Sequence, residues 1–330
     1  MKILRRKLIE YQTKSKKRPR KRKKSRKPVT IESTLSARSS LQTSRGTSPF
    51  HDHPVLTAKL YEPGHLNDGI DKHQICKHWG SYPKLLILIT SAESNLMARM
   101  AIRHTWMHYG SRRDVGMAFV LGSTTNAKLN EALNQENYLY GDMIRGHFID
   151  SHINLTLKTI SLLEWTDTHC PRVEYILKTE DDMSINVPKL LNFIDRHKDN
   201  RTIYGRLVEK MTPHRYGDMG NEFLSYATGG AYLLTGDIVH ELYLQSLNTI
   251  YMEREDVFIT GVVAESLNIS RVQADSFRNI RIILFPCIIR NAISIDMIEP
   301  QEQYELWRML LDPTIKCKEV LVDAEAGENM

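Results

Sequence analysis

The segment Lys84–Thr90, KLLILIT, places the first limit on what this chain can become. An unbroken aliphatic run, bounded by Pro83 and by polar residues, is a buried strand. Similar runs follow at Met117–Leu121, closed by Gly122, and at Tyr175–Thr179, which ends on Glu180-Asp181-Asp182. Between them lie stretches with helical spacing. Leu96–Trp106 can turn Met97, Ile102 and Trp106 to one face, and Asn126–Asn134 has a helical pattern. Leu155–Thr168 reads as an amphipathic helix, with Leu155, Ile160, Leu163 and Trp165 inward and a stop at Cys170-Pro171. Val187–His197 is a further helix. Strand and helix alternate, so the expected fold is an α/β, Rossmann-like layered domain with a largely parallel sheet flanked by helices. In such sheets ligands bind beyond the carboxyl ends of the strands. That rule gathers Thr90, Gly122 and Glu180–Asp182 into one candidate crevice.

The 330 residues allow two average domains, or one large α/β domain with tails. Residues 1–28 carry 15 Lys/Arg against the single acid Glu10, which leaves 30 basic and 38 acidic residues, a net of −8, for the rest. The overall charge of +6 therefore belongs to the tail, and the acidic body argues against a nucleic-acid groove in the fold itself. We divide the chain into a basic low-complexity tail over 1–30, a Ser/Thr/His/Pro-rich stem or linker over 31–75, and a catalytic domain over 76–330. The tail is a solvated segment, a nuclear-targeting signal or an anionic-membrane contact. No apolar run reaches the roughly 20 residues of a membrane-spanning helix, and no signal peptide is legible.

Three clusters carry candidate chemistry. Glu180-Asp181-Asp182 crowds three carboxylates at a strand end, where a hard divalent cation such as Mg²⁺ or Mn²⁺ explains them. The plain alternative is a solvated acidic turn ahead of the next helix. Glu255-Asp256-Val257-Phe258 sits at the start of a helical stretch, Ile259–Leu267. There Asp256 is either a general base or an acid favoured by the helix dipole. In Tyr226-Ala-Thr-Gly229-Gly230, the paired glycines either admit a ligand close to the backbone or mark a tight turn. Neither a P-loop nor a GxGxxG fingerprint occurs. A carboxylate-held metal gripping a nucleotide diphosphate remains.

With these clusters in view, the chain resembles the β-1,3-galactosyltransferase and β-1,3-N-acetylglucosaminyltransferase superfamily. The resemblance rests on five blocks in order: Arg99-x-x-Ile102-Arg103-x-Thr105-Trp106; Phe119-Val-Leu-Gly122; Asp142 through Phe148-x-Asp150-Ser151-x-x-Asn154-Leu-Thr-Leu-Lys158-Thr159; Lys178-Thr179-Glu180-Asp181-Asp182; and Glu255-Asp256-Val257-Phe258-x-x-Gly261. It implies a GT-A fold, a UDP-sugar donor, Mn²⁺, and transfer with inversion to a 3-hydroxyl of a glycan on a glycoprotein or glycolipid. It also implies roles: Asp182 as metal ligand with Glu180 and Asp296, and Asp256 as the base. Donor contacts would come from Arg99, Arg103, Lys158, Asp181, Gly229, Gly230 and Glu255. Galactose is the expected donor sugar and N-acetylglucosamine the close alternative. An inactive transferase fold serving as a binding protein is a third reading.

The sequence departs from that family's pattern in places. Glu180 stands where the metal motif begins with Asp, Asp296 stands where a late His is usual, and Tyr226-Ala-Thr replaces a Pro-Tyr-Cys run. The resemblance implies a type II Golgi membrane protein with a lumenal catalytic domain. No span is legible, so we expect an exon lost from the gene model, with a soluble or nuclear form as the alternative. The sequons at Asn154, Asn200 and Asn268 agree with a secretory location. Cys76, Cys170, Cys287 and Cys317 fall where relatives carry cysteines, which raises the expectation of disulfides and leaves their pairing open.

Overall fold

The structure, a computed structural model, describes residues 54–66, 75–211 and 223–317. The basic tail and most of the expected linker lie outside the described residues. A seven-stranded sheet forms the centre, in the order β3-β2-β1-β4-β7-β6-β8. Its strands are β1 (Leu85–Thr90), β2 (Val115–Ser123), β3 (Met143–Ile149), β4 (Tyr175–Glu180), β6 (Thr202–Met211), β7 (Phe223–Thr235) and β8 (Ser270–Gln273). β1 to β4 are parallel to one another, β8 is parallel to β6, and β7 runs antiparallel to both β4 and β6. A small antiparallel ribbon, β5 (Ser184–Ile185) with β9 (Ser294–Ile295), lies outside the main sheet.

The aliphatic run of β1 explains why layers form on both faces. Alternate side chains point to opposite sides of a strand. Leu86 and Leu88 join one core and Leu85, Ile87 and Ile89 the other, all without exposed surface. On the first face lie α3 (Leu155–His169), α5 (Val239–Leu247) and a π-helix over Val257–Val263. On the second lie α1 (Leu96–Arg103), α2 (Ala127–Tyr140) and α4 (Val187–Arg196). Two further helices, α6 (Pro286–Asn291) and α7 (Pro300–Leu311), enclose a third small core with Ile295 and Ile298. The expected α/β layering with a largely parallel sheet is what folds. Among the described residues, no helix is long and apolar enough to cross a membrane.

Several expectations are corrected. α1 stops at Arg103, and Trp106 is buried in a following 3₁₀ turn, while Met97, expected inward, is 70% exposed. Leu155 is only partly covered, and α3 is not amphipathic. It is buried around most of its circumference, and its polar side chains are satisfied internally: Thr156 Oγ1 donates to the Met252 carbonyl at 2.6 Å and Ser161 to that of Lys158 at 2.7 Å. Residues 54–66, read as linker, pack against the body: Thr57 and Tyr61 are buried, and Leu56 bridges Ile250. The stretch has no hydrophobic period, which is why the sequence does not announce it.

All four cysteines pair, as Cys76–Cys170 and Cys287–Cys317. The first bridge joins the segment before β1 to the end of α3 across a separation of 94 residues. Loop-closure entropy grows with such separations, and native bridges typically contribute about 2–5 kcal/mol. Cys170→Ser is therefore expected to lower the unfolding free energy by about that amount in urea titrations of the oxidised protein. An unchanged midpoint would contradict this role for the bridge.

Candidate active site

The parallel register brings the strand ends together: Thr90 stands beside Val120 on one side and Glu180 on the other. Beyond Glu180 the chain leaves the sheet. Asp181 turns back to the β1–α1 loop, accepting from Ser91 Oγ at 2.6 Å and from Asn95 Nδ2 at 3.1 Å. Asp182 is tied to the segment after β9 by the Ile298 N–H, which donates to its carbonyl at 2.8 Å. Its carboxylate is different: Oδ1 is buried and has no hydrogen-bond donor. Burial first, then the charges of Glu180, Asp296 and Asp181, push the Asp182 carboxyl up to about 6. Burial likewise raises Asp296, although its Oδ1 accepts from the Met297 N–H at 2.7 Å.

An orphaned, buried carboxylate oxygen among further carboxylates suits a hard divalent cation, which takes oxygen ligands and supplies the missing charge. Asp182 and Asp296 fit that use. Glu180, expected beside them, has Oε1 engaged by Lys178 Nζ at 2.9 Å. Among the described residues, no three Asp, Glu, His or Cys side chains are already gathered as a coordinating set.

Lys178 is the least expected element of the site. Its ammonium is fully buried and donates to Glu180 Oε1, to the Gly229 carbonyl at 2.7 Å and to Glu255 Oε2 at 3.1 Å. Tyr232, its register partner on β7, donates to Glu255 Oε1 at 2.6 Å. Burial opposes the charge on Lys178, but Glu180 and Glu255 outweigh it and hold the ammonium protonated above the usual lysine range. Glu255 was expected to contact a donor. Instead it is enclosed in this network and fixes the turn that leads to Asp256.

Asp256 caps the π-helix: the Val257 N–H donates to its Oδ1 at 2.9 Å, and Arg254 Nη2 lies 3.6 Å from the same oxygen. The cap is therefore real, and it coexists with a position on the crevice. A Cβ built on Gly229 would sit 3.5 Å from Asp256 Cβ and 3.7 Å from Glu180 Oε1. One built on Gly230 would sit 3.7 Å from Asp296 Cγ and only 3.0 Å from Met183 Sδ. The glycine pair thus forms a thin strand wall, with Asp256 against Gly229 and Asp296 against Gly230. It is not a tight turn, because both residues lie within β7.

Three residues expected to contact the donor are engaged within the protein. Arg99 is fully buried and bonds Glu136 at 2.8 Å through both Nε and Nη2, with Nη1 on Ser91 Oγ and the Ala92 carbonyl. Arg103 is spent on Glu136 and Asp142. Lys158 pairs with Asp150 at 2.7 Å and donates to the Ser91 carbonyl at 2.8 Å. Burial would raise Glu136, but the two guanidiniums more than offset it and hold it below the usual carboxylate range. Arg99 and Lys158 brace the Ser91–Asn95 loop through these bonds.

Among the sequons, Asn200 and Asn268 are exposed. Asn154 donates to the Ile149 carbonyl at 2.8 Å, and its partner Thr156 is buried in α3. Sequence reasoning assigned no role to Lys178, Tyr232 or Asn279. Asn279 Nδ2 bonds Thr228 Oγ1 at 2.9 Å and the Ala231 carbonyl at 2.7 Å, and so braces the glycine wall. A charged residue inside the apolar run of β4 was the available signal for Lys178.

The raised Asp182 carboxyl has a consequence for the metal-free protein. Its folded-state pKa lies above the ordinary Asp value, so its contribution to stability is complete below about pH 4 and is lost as pH rises through about 6. Asp182→Asn is expected to raise the melting temperature by a few degrees at pH 7.5 in EDTA and to change it little at pH 4. A lower melting temperature at pH 7.5 would contradict the charge crowding.

The galactosyltransferase family model matches residues 97–275, which includes every strand-end carboxylate except Asp296. Beta-1,3-galactosyltransferase 5 of Homo sapiens is 31% identical over 252 residues, covering 69% of this chain and 78% of that protein. Beta-1,3-galactosyltransferase 1 of Mus musculus is 29% identical over 241 residues, covering 68% and 73%. Among solved structures, a glycosyltransferase involved in the glycosylation of the major capsid of PBCV-1 aligns with a TM-score of 0.41 at 14% identity, over 68% of this chain and 99% of that one. The extent of the family match and the identity to these relatives place the chain in the galactosyltransferase family, as a hexosyltransferase.

Proposed function

We propose that the protein transfers galactose from UDP-galactose, with inversion, to the 3-hydroxyl of an acceptor sugar on a glycoprotein or glycolipid. The observation that carries this reading is the placement of two sets of carboxylates at the Gly229–Gly230 wall: Asp182 with Asp296 on the Gly230 side, Asp256 on the Gly229 side. The names of the relatives support galactose and the β-1,3 linkage. Asp182 and Asp296, with Glu180 nearby, would hold Mn²⁺, which when bound neutralises charge building on the leaving diphosphate.

Asp256 takes the acceptor proton. Its orientation is fixed by the Val257 N–H and by the buried Glu255 one residue earlier. In the reaction the acceptor 3-oxygen forms a bond to the anomeric carbon. The bond from that carbon to the UDP oxygen breaks, and its electron pair leaves with UDP. One base suffices because displacement is in line. The two disulfides and the exposed Asn200 and Asn268 support a secretory, Golgi-lumenal setting.

A panel of UDP-galactose, UDP-N-acetylglucosamine and UDP-glucose with simple glycan acceptors and Mn²⁺ tests the donor. Galactose transfer giving a β-1,3 product by NMR is expected, and preferred transfer of N-acetylglucosamine would overturn the donor assignment. Asp256→Asn keeps the shape and removes the proton acceptor. It is expected to leave UDP-sugar affinity nearly unchanged and to reduce turnover by at least about 10²-fold. A folded, donor-binding Asp256→Asn enzyme with near-normal turnover would remove Asp256 as the base.

A further inference from the structure

The segment 54–66 contributes no catalytic group, yet its contacts converge on the loop that delivers Asp256. Thr57 is fully buried; its N–H and Oγ1 both donate to the Thr249 carbonyl, at 3.0 and 2.8 Å. Leu56 bridges Ile250 in antiparallel fashion, and the Tyr251 N–H donates to the Val55 carbonyl at 2.8 Å. Val55–Thr57 therefore acts as a short strand edge for Thr249–Tyr251. From there the chain is tied at each step: Tyr251 OH donates to the Ile153 carbonyl at 2.5 Å, the Met252 carbonyl accepts from Thr156, and Glu255 is locked to Lys178 and Tyr232. Asp256 follows directly.

A second anchor lies further along. Glu164 is a buried carboxylate on α3. Its oxygens accept from Tyr61 OH and from the Gly64 N–H. A buried carboxylate without such donors is strongly unfavourable. The segment is thus required where it lies, and α3 also carries Lys158, which fixes the Ser91 loop.

We propose that residues 55–64 form a positioning strap, in which Thr57 holds the Thr249–Asp256 loop, Tyr61 anchors the strap to Glu164 of α3, and Asp256 is thereby placed at the crevice. This rests on the reading of Asp256 as the base. The strap acts through backbone contacts on a loop and touches neither donor nor acceptor. Loosening it should therefore affect turnover and leave the donor side of the glycine wall intact.

The test uses the full chain carrying Thr57→Val with Tyr61→Phe, which removes both side-chain hydroxyls and little volume. Amide hydrogen exchange across residues 249–258 is expected to accelerate at least about 10-fold, with exchange in β1 and β4 unchanged. Turnover is expected to fall about 10-fold or more, with UDP affinity in Mn²⁺ within about two-fold of the parent. Leu133→Ala, on the buried face of α2, serves as a control of general destabilisation. Assayed well below its melting temperature, it should change neither exchange in 249–258 nor turnover. Unchanged exchange in 249–258 in the double variant would overturn the strap, as would equal losses of UDP affinity and turnover. Exchange does not depend on which residue is the base, so a failure of Asp256→Asn to lower turnover would reject the base while leaving the exchange result to judge the strap.

Discussion

A single buried ammonium group organises the active end of this molecule. Lys178 sits inside β4, where an aliphatic residue would satisfy the strand, and reaches three acceptors on three parts of the chain: Glu180 at its own strand end, the Gly229 carbonyl on β7 and Glu255 before the π-helix. Charges taken out of water are costly unless paired and hydrogen-bonded. All three ammonium protons of Lys178 have acceptors, and Glu255 is completed by Tyr232. The network joins the strand end that carries Asp182 to the turn that carries Asp256, on opposite sides of the glycine wall. Moving either carboxylate group would break bonds to a charge that no water can reach.

The crevice itself is left electrostatically incomplete. Lys178 neutralises Glu255 and shares Glu180, but among the described residues no donor reaches Asp182 Oδ1. Burial and three neighbouring carboxylates disfavour its charge. A structure selected for stability alone would put an amide or an apolar side chain there. Local strain of this kind accumulates where function requires it, and here it is relieved by any ligand that brings positive charge. Arg99, Arg103 and Lys158 are bound to Glu136, Asp142 and Asp150.

Much of this was legible in the sequence where local pattern and tertiary context agree. The aliphatic run of β1 and the acidic terminus of β4 locate the sheet and the crevice because parallel central strands are hydrophobic throughout and change character only at their ends. The pairing of β6 with β7 was not legible. Gly229 and Gly230 interrupt β7 and suggest a turn, whereas in the sheet they make room for Glu180, Glu255, Asp256 and Asp296. Met97 is expected inward beside Ile102, but a five-residue spacing turns it about 140° away around α1, and it faces outward. Arg99 and Arg103 are donor contacts only by the family resemblance. Their burial depends on Glu136 and Asp142, whose approach no local window displays. The strap at 55–64 escaped for the same reason, since its partners lie 100 to 192 residues away.

The most direct test of this account is the coupling between Lys178 and Glu255. Unfolding free energies would be measured for the parent, Lys178→Met, Glu255→Gln and the double variant. Removing one member of a buried pair leaves an uncompensated charge and typically costs about 3–5 kcal/mol, whereas removing both is far less damaging. The account predicts strongly non-additive losses, with a coupling of about 2 kcal/mol or more and a double variant more stable than Lys178→Met. Additive losses would contradict the claim that one buried ion pair holds the two halves of the active site in register.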